Sequence, residues 1–184
     1  MVTAEEADFD KTARIPIIWQ ITARQLIVAA NRLREGHEAA KEKVSFYASR
    51  MPILLLYGLA AENLAKAILV AKGTPPVELD IKNGSLKLSE DIKGHNLEAL
   101  FVKAGVALSA EDKDVLNNLS WTVQAGKYPV STKPAIHPRD PTPAWLELTN
   151  LDNACRLLEA LEAALRTTGQ KWVLEKEDLS KLGL

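Results

Sequence analysis

From Ile18 onward apolar positions recur every three or four residues, so most of the chain reads as helix. Trp19, Ala23, Leu26, Ala30 and Leu33 share one face, with Gln20, Arg24, Asn31 and Arg34 elsewhere. Pro16 suits the first turn of this helix. Gly36 weakens the pattern without having to end it, and residues 38–50 still favour helix. A long helix is therefore expected near 18–50, with a candidate break at Gly36. Pro52 marks the next boundary. Residues 52–72 are apolar around most of the circumference and stop at Gly73, which predicts the central, most buried helix. Gly58, Ala61 and Ala65 form a small-residue ridge on it. Such a ridge admits a close neighbour, either inside the monomer or across a dimer seam.

The period changes after Pro75-Pro76. Residues 77–89 alternate around Asn83-Gly84, the preferred pair for a two-residue type I′ turn. That turn predicts a β-hairpin with Ile81 facing Leu86, Leu79 facing Leu88, and Asp80 opposite Lys87. A lone hairpin is marginal, so its apolar face is expected on the helices. Helical signals then return. Asn96 caps a short helix over 97–103 that ends at Gly105. Ser109 and Asp112 resemble a capping box opening a helix over 110–124, stopped by Gly126. The proline-rich stretch 126–143 reads as loop. Thr142-Pro143 starts a last helix to about 167, with Leu151, Ala154, Cys155, Leu158, Leu161 and Leu165 as its stripe. Residues 1–15 read as a polar arm, 16–168 as the helical domain, and 169–184 as a C-terminal arm anchored by Trp172.

Composition narrows the chemistry. With 184 residues the chain suits one domain able to close a core without disulfides or metal. The net charge of -1 does not indicate a strongly basic nucleic-acid binder, though a local patch fits. The single cysteine, Cys155, excludes an intrachain disulfide framework and a Cys-based zinc site; it reads as a small core residue. The acidic start lacks the basic region of a targeting signal, and 53–61 is too short to span a membrane, so a cytoplasmic protein is expected. No phosphate-binding glycine loop, metalloprotease motif or nucleophile elbow occurs. His37, His95 and His137 are far apart in sequence, and neither a metal nor a cofactor is expected.

Three segments, in order, resemble the HEPN domains (higher eukaryotes and prokaryotes nucleotide-binding). Leu59-Ala60-Ala61-Glu62-Asn63-Leu64-Ala65-Lys66-Ala67 is similar to the family's second helix. Gly94-His95-Asn96-Leu97 is similar to its His-Asp-Leu segment. Lys127-Tyr128-Pro129 is similar to the Arg-Tyr-Pro before its last helix. The resemblance covers roughly 18–167 and implies an up-down bundle of four main helices with the hairpin inserted. It also implies homodimerisation, and binding of RNA, a nucleotide or a nucleotidyltransferase-like antitoxin protein.

On that resemblance Glu62, Lys66, His95, Lys127 and Tyr128 are the binding candidates. The residues themselves leave alternatives. Glu62 and Lys66 are spaced for an ion pair along the helix, or for a polar partner on a neighbouring one. His95 can position the helix start or take part in chemistry. Tyr128-Pro129 can simply fix a turn, and Lys127 can be solvated. Many HEPN proteins are metal-independent ribonucleases that use Arg, four to six residues, then His, in a late helix. Residues 116–130 hold neither Arg nor His, and Lys127 lacks the bidentate geometry of arginine. Arg32 and His37 match the spacing in the first helix, where five positions on a continuous helix put them about 140° apart. The expectation is a catalytically silent HEPN-like binding protein in a toxin–antitoxin or defence setting. The alternatives are an RNA-cleaving enzyme with an unorthodox site, for which Arg32 and His37 are the catalytic candidates, and a structural oligomerisation bundle.

Overall fold

The computed structural model describes residues 3–39, 43–127 and 150–169, with the side chains of 37, 43–49 and 125–127 left aside. Within these residues the protein is mainly helical, with one two-stranded antiparallel hairpin. The order is α1 (Ala4–Ala13), α2 (Pro16–Ala39), α3 (Lys43–Ala71), β1 (Val77–Asp80), β2 (Ser85–Leu88), α4 (Leu97–Ala104), α5 (Ala110–Lys127) and α6 (Leu151–Thr167).

Helix α3 is the hub, packing against α2, α4, α5 and α6. Its apolar circumference explains this, since every face needs a cover. Ile53, Leu54, Tyr57, Leu64 and Ile68 are fully buried on it. By length and composition 50–71 could cross a membrane, yet 78% of the apolar window is buried inside the fold. The small-residue ridge is consumed within the chain. Ala61 and Ala65 are buried, and a Cβ added at Gly58 would stand 2.7 Å from Val123 Cγ2 and 3.1 Å from the Leu119 carbonyl oxygen. Gly58 is thus a point of close approach by α5, and the ridge, buried within the fold, is not available as a dimer seam.

Several boundaries differ from the sequence reading. The polar arm 1–15 contains α1, started by a reciprocal capping box: Glu6 N–H donates to Thr3 Oγ1 at 3.2 Å and Thr3 N–H to Glu6 Oε2 at 2.8 Å. Trp19 Nε1 donates to the Ala13 carbonyl at 2.9 Å, tying α1 to α2. Helix α2 runs unbroken through Gly36 as far as Ala39, and helix is present again from Lys43, with 40–42 outside the described residues. Pro52 does not separate two helices; it lies inside α3, on an exposed position where water can reach the carbonyl that loses its partner. Leu33, expected on the core face, is exposed, while Ala23 and Ala30 are buried as expected.

The expected helix 97–103 is present as α4, capped by Asn96 and ended by Gly105 at φ +78°. The capping box at α5 is also present: Ser109 N–H donates to Asp112 Oδ2 at 2.8 Å and Asp112 N–H to Ser109 Oγ at 3.1 Å. α5 passes Gly126 to reach Lys127. α6 starts later than 143, where the Asn150 side chain accepts from Asp152 N–H at 2.8 Å. Thr142-Pro143, the remainder of the proline-rich loop and Trp172 lie outside the described residues.

The hairpin forms, but its register is shifted by two. Val77 pairs with Leu88, Glu78 with Lys87, Leu79 with Leu86 and Asp80 with Ser85, leaving a four-residue loop at 81–84. Asp80, rather than Asn83-Gly84 alone, organises that loop. Its carboxylate accepts from Lys82 N–H at 3.0 Å and Asn83 Nδ2 at 2.9 Å, and its carbonyl from Gly84 N–H at 2.7 Å, with Gly84 at φ +64°. A shift of two keeps each side chain on its face. The cross-strand charge pair is therefore Glu78–Lys87 at 3.2 Å instead of Asp80–Lys87. The apolar face is covered only at its base: Val77 is buried and α1 contacts β2, whereas Leu79 and Ile81 stand exposed.

Candidate functional site

Glu62 and Lys66 lie one turn apart on the most buried helix and are 5% and 4% exposed. Lys66 Nζ donates to Glu62 Oε1 at 2.5 Å. The second carboxylate oxygen, Oε2, is 2.8 Å from His95 Nδ1, contributed by the segment before α4. The Lys66 ammonium also sits 5.6 Å from the centroid of the Trp19 ring on α2, where the negative ring face attracts a cation. Three elements thus meet around one buried ion pair. Both its oxygens are hydrogen-bonded, which offsets the cost of burying the charge. The two sequence readings of Glu62 and Lys66 are both realised: an ion pair within the helix, and a polar partner outside it.

His95 is held at this position by its neighbours. Asn96 Oδ1 accepts from Ala99 N–H at 3.0 Å, capping α4. Leu97 N–H donates to Ser120 Oγ at 3.0 Å, and Ser120 Oγ donates to the Leu116 carbonyl at 2.7 Å, fastening the start of α4 to α5. The His95 side chain is 37% exposed, so the cluster runs from a buried ammonium to a ring at the surface. The arrangement can present a fixed hydrogen-bonding imidazole backed by a buried carboxylate.

A second polar system lies between α2 and α6, and the sequence reading missed it. Arg24 pairs with Glu162, and Arg166 lies 3.7 Å from the same carboxylate. Glu162 Oε1 and Arg24 Nε are buried without a hydrogen-bond partner. Burial pushes the Glu162 carboxyl above its ordinary value against the pull of the two arginines. Further along, Arg34 bonds Glu38 and Asp152, each at 2.6 Å, and approaches Cys155 Sγ at 3.5 Å. The Tyr57 hydroxyl donates to Asn31 Oδ1 at 2.7 Å and receives Cys155 Sγ at 3.3 Å. Burial and the adjacent Cys155 push the Tyr57 phenol up. Cys155 is therefore a half-buried member of a polar contact rather than a plain core residue. The signal was present in positions set aside as off the core face: Arg24, Asn31 and Arg34 fall at helical spacing and make a polar seam of their own.

The remaining candidates do not join the cluster. Arg32 is exposed on a helix continuous past residue 37, so the backbone keeps Arg32 and His37 on different sides. Lys127 is the last described residue of α5, and its side chain and Tyr128 lie outside what the structure describes. Among the described residues no three His, Cys, Asp or Glu side chains converge as a metal site. No family model matches the chain, and neither does any curated protein or solved structure.

Proposed function

We propose that this chain is a HEPN-like binding protein without catalytic activity of its own, acting on RNA or a nucleotide or with a nucleotidyltransferase-type partner in a toxin–antitoxin or defence setting. The observation that carries the reading is the convergence on Glu62. Two of the three segments that resemble the family, separate in sequence, supply Glu62, Lys66 and His95 to one contact set. In this reading α2, α3, α5 and α6 are the four main helices of the family's up-down bundle, the setting is cytoplasmic, and His95 is the ring that meets the ligand.

Silence follows from chemistry. A carboxylate with both oxygens engaged and a buried, paired ammonium are poor acid–base groups for an external substrate. Residues 110–127 contain neither Arg nor His. A second copy, if it binds, uses a surface other than the Gly58 ridge. Metal-free incubation with a mixed RNA substrate tests the reading: the expected result is intact RNA. Cleavage that disappears in His37→Ala would overturn it in favour of the ribonuclease.

A further inference from the structure

Helix α1 is held by little. Ala13, at its end, is its one buried residue, and Phe9 is 40% exposed. A short helix without an apolar face neither persists alone nor docks by burial. Two polar ties take its place among the described residues. At one end the Glu6 carboxylate accepts Thr3 N–H through Oε2, which caps the helix, and Leu86 N–H of β2 through Oε1 at 3.1 Å, which docks it. These backbone donors, Thr3 first and then Leu86, hold the Glu6 carboxyl below its ordinary value, so both bonds stand at neutral pH. At the other end the Ala13 carbonyl accepts from Trp19 Nε1. Trp19 is half-buried in the first turn of α2, and the Lys66 ammonium sits over its ring. A chain of contacts therefore runs from Leu86 through Glu6, α1 and Trp19 to the Lys66–Glu62 pair.

We propose that α1 is a latch on the candidate site: docked, it holds the Trp19 ring over the Lys66–Glu62 pair, and released, it lets the ring turn away and opens the pair to solvent. A half-buried indole N–H keeps a hydrogen-bond partner. Once the Ala13 carbonyl leaves, water becomes that partner, and the N–H edge of the ring turns out toward it. The ring face then moves off the ammonium, and Lys66, 4% exposed while covered, gains water. Release disturbs the rest of the fold little, because α1 takes one small side chain out of the core with it. Arg14 and Ile15, between α1 and α2, are the hinge. The consequence for a ligand rests on the HEPN-like reading: the opened form offers a nucleotide phosphate the ammonium as well as the His95 ring, so release favours binding.

The test uses the full chain and a brief pulse of acetic anhydride, with acetylation of each lysine read by peptide mass spectrometry and amide hydrogen exchange read in parallel. Glu6→Ala removes the cap and the docking bond together. It should abolish exchange protection over residues 8–13 and raise Lys66 acetylation at least fivefold relative to exposed Lys82, while the amides of 60–68 stay slow. Trp19→Phe keeps a ring face but has no N–H for the Ala13 carbonyl, so in that background Glu6→Ala should add less than twofold. Unchanged Lys66 acetylation after α1 loses its protection overturns the latch. So do retained protection of α1, exchange that quickens throughout α3, and a full fivefold rise in the Trp19→Phe background. The ligand consequence is read separately with adenosine monophosphate, which should bind Glu6→Ala at least threefold more tightly than the unaltered chain. Equal binding to both overturns the coupling between latch and ligand. Binding to neither counts against the HEPN-like reading, and the latch then stands or falls on the acetylation result.

Discussion

Replacing Glu62 by leucine strands the Lys66 ammonium in the core. The lysine is 4% exposed and its charge is met by Glu62 and the Trp19 face alone among the contacts described. Breaking a buried pair from one side costs about 3–5 kcal/mol, and the ring face returns about 0.5–2 kcal/mol of that at most. A net loss of about 1–4.5 kcal/mol is a large share of the roughly 5–15 kcal/mol that holds a domain together. Lys66→Met keeps the aliphatic stem in place and leaves Glu62 its bond to His95, so its cost is smaller. The double variant, Glu62→Leu with Lys66→Met, buries no unpaired charge there and should regain most of the loss. Urea unfolding followed by far-UV circular dichroism reads all four proteins. Single-variant costs under about 1 kcal/mol, or a double variant that simply sums the two, would refute a buried, mutually dependent pair.

Three other outcomes follow from the same structure. Gly58→Ala gains about 1 kcal/mol of helix propensity but overpacks Val123 and the Leu119 carbonyl at a cost of about 1–3 kcal/mol, so the melting temperature should fall rather than rise. Ser109→Ala removes the α5 cap and should cost about 1 kcal/mol in chemical denaturation. Burial raises the Glu162 carboxyl, so its contribution to stability is full below the unfolded value, about 4.3, and is lost as pH rises through the folded one. The stability difference between wild type and Glu162→Gln, measured from acid to neutral pH, should therefore fall over that window and level off above it. A difference that rises with pH would mean Arg24 outweighs burial.

The fold was legible where local signals stand alone. Asn96 and Ser109–Asp112 announce their caps, and the continuous apolarity of residues 53–71 announces a helix covered on all sides. Local signals misled where tertiary contacts outrank them. Pro52 looks like a boundary, but a helix with its other faces packed carries one lost hydrogen bond on its exposed side. Asn83-Gly84 looks like a two-residue turn, but Asp80 collects four loop donors and moves the register. The Glu62–Lys66 pairing was readable from spacing, whereas the His95 contact depends on how α4 is fastened to α5 through Ser120. The α2–α6 polar seam was not read, because Arg24 and Arg34 look like solvated residues until Glu162 and Asp152 are placed opposite them.

In the proposed function, the surface around His95 receives a ligand and leaves it unchanged. The most direct measurement is a titration of isotope-labelled protein with short mixed RNA, and separately with adenosine monophosphate, followed by backbone amide and imidazole resonances. Saturable shifts gathered at residues 62–66 and 95–97 are expected, weakened at least tenfold by His95→Ala, with the added RNA or nucleotide recovered unchanged. Shifts that gather elsewhere on the protein, or no shifts with either probe at millimolar concentration, would contradict it.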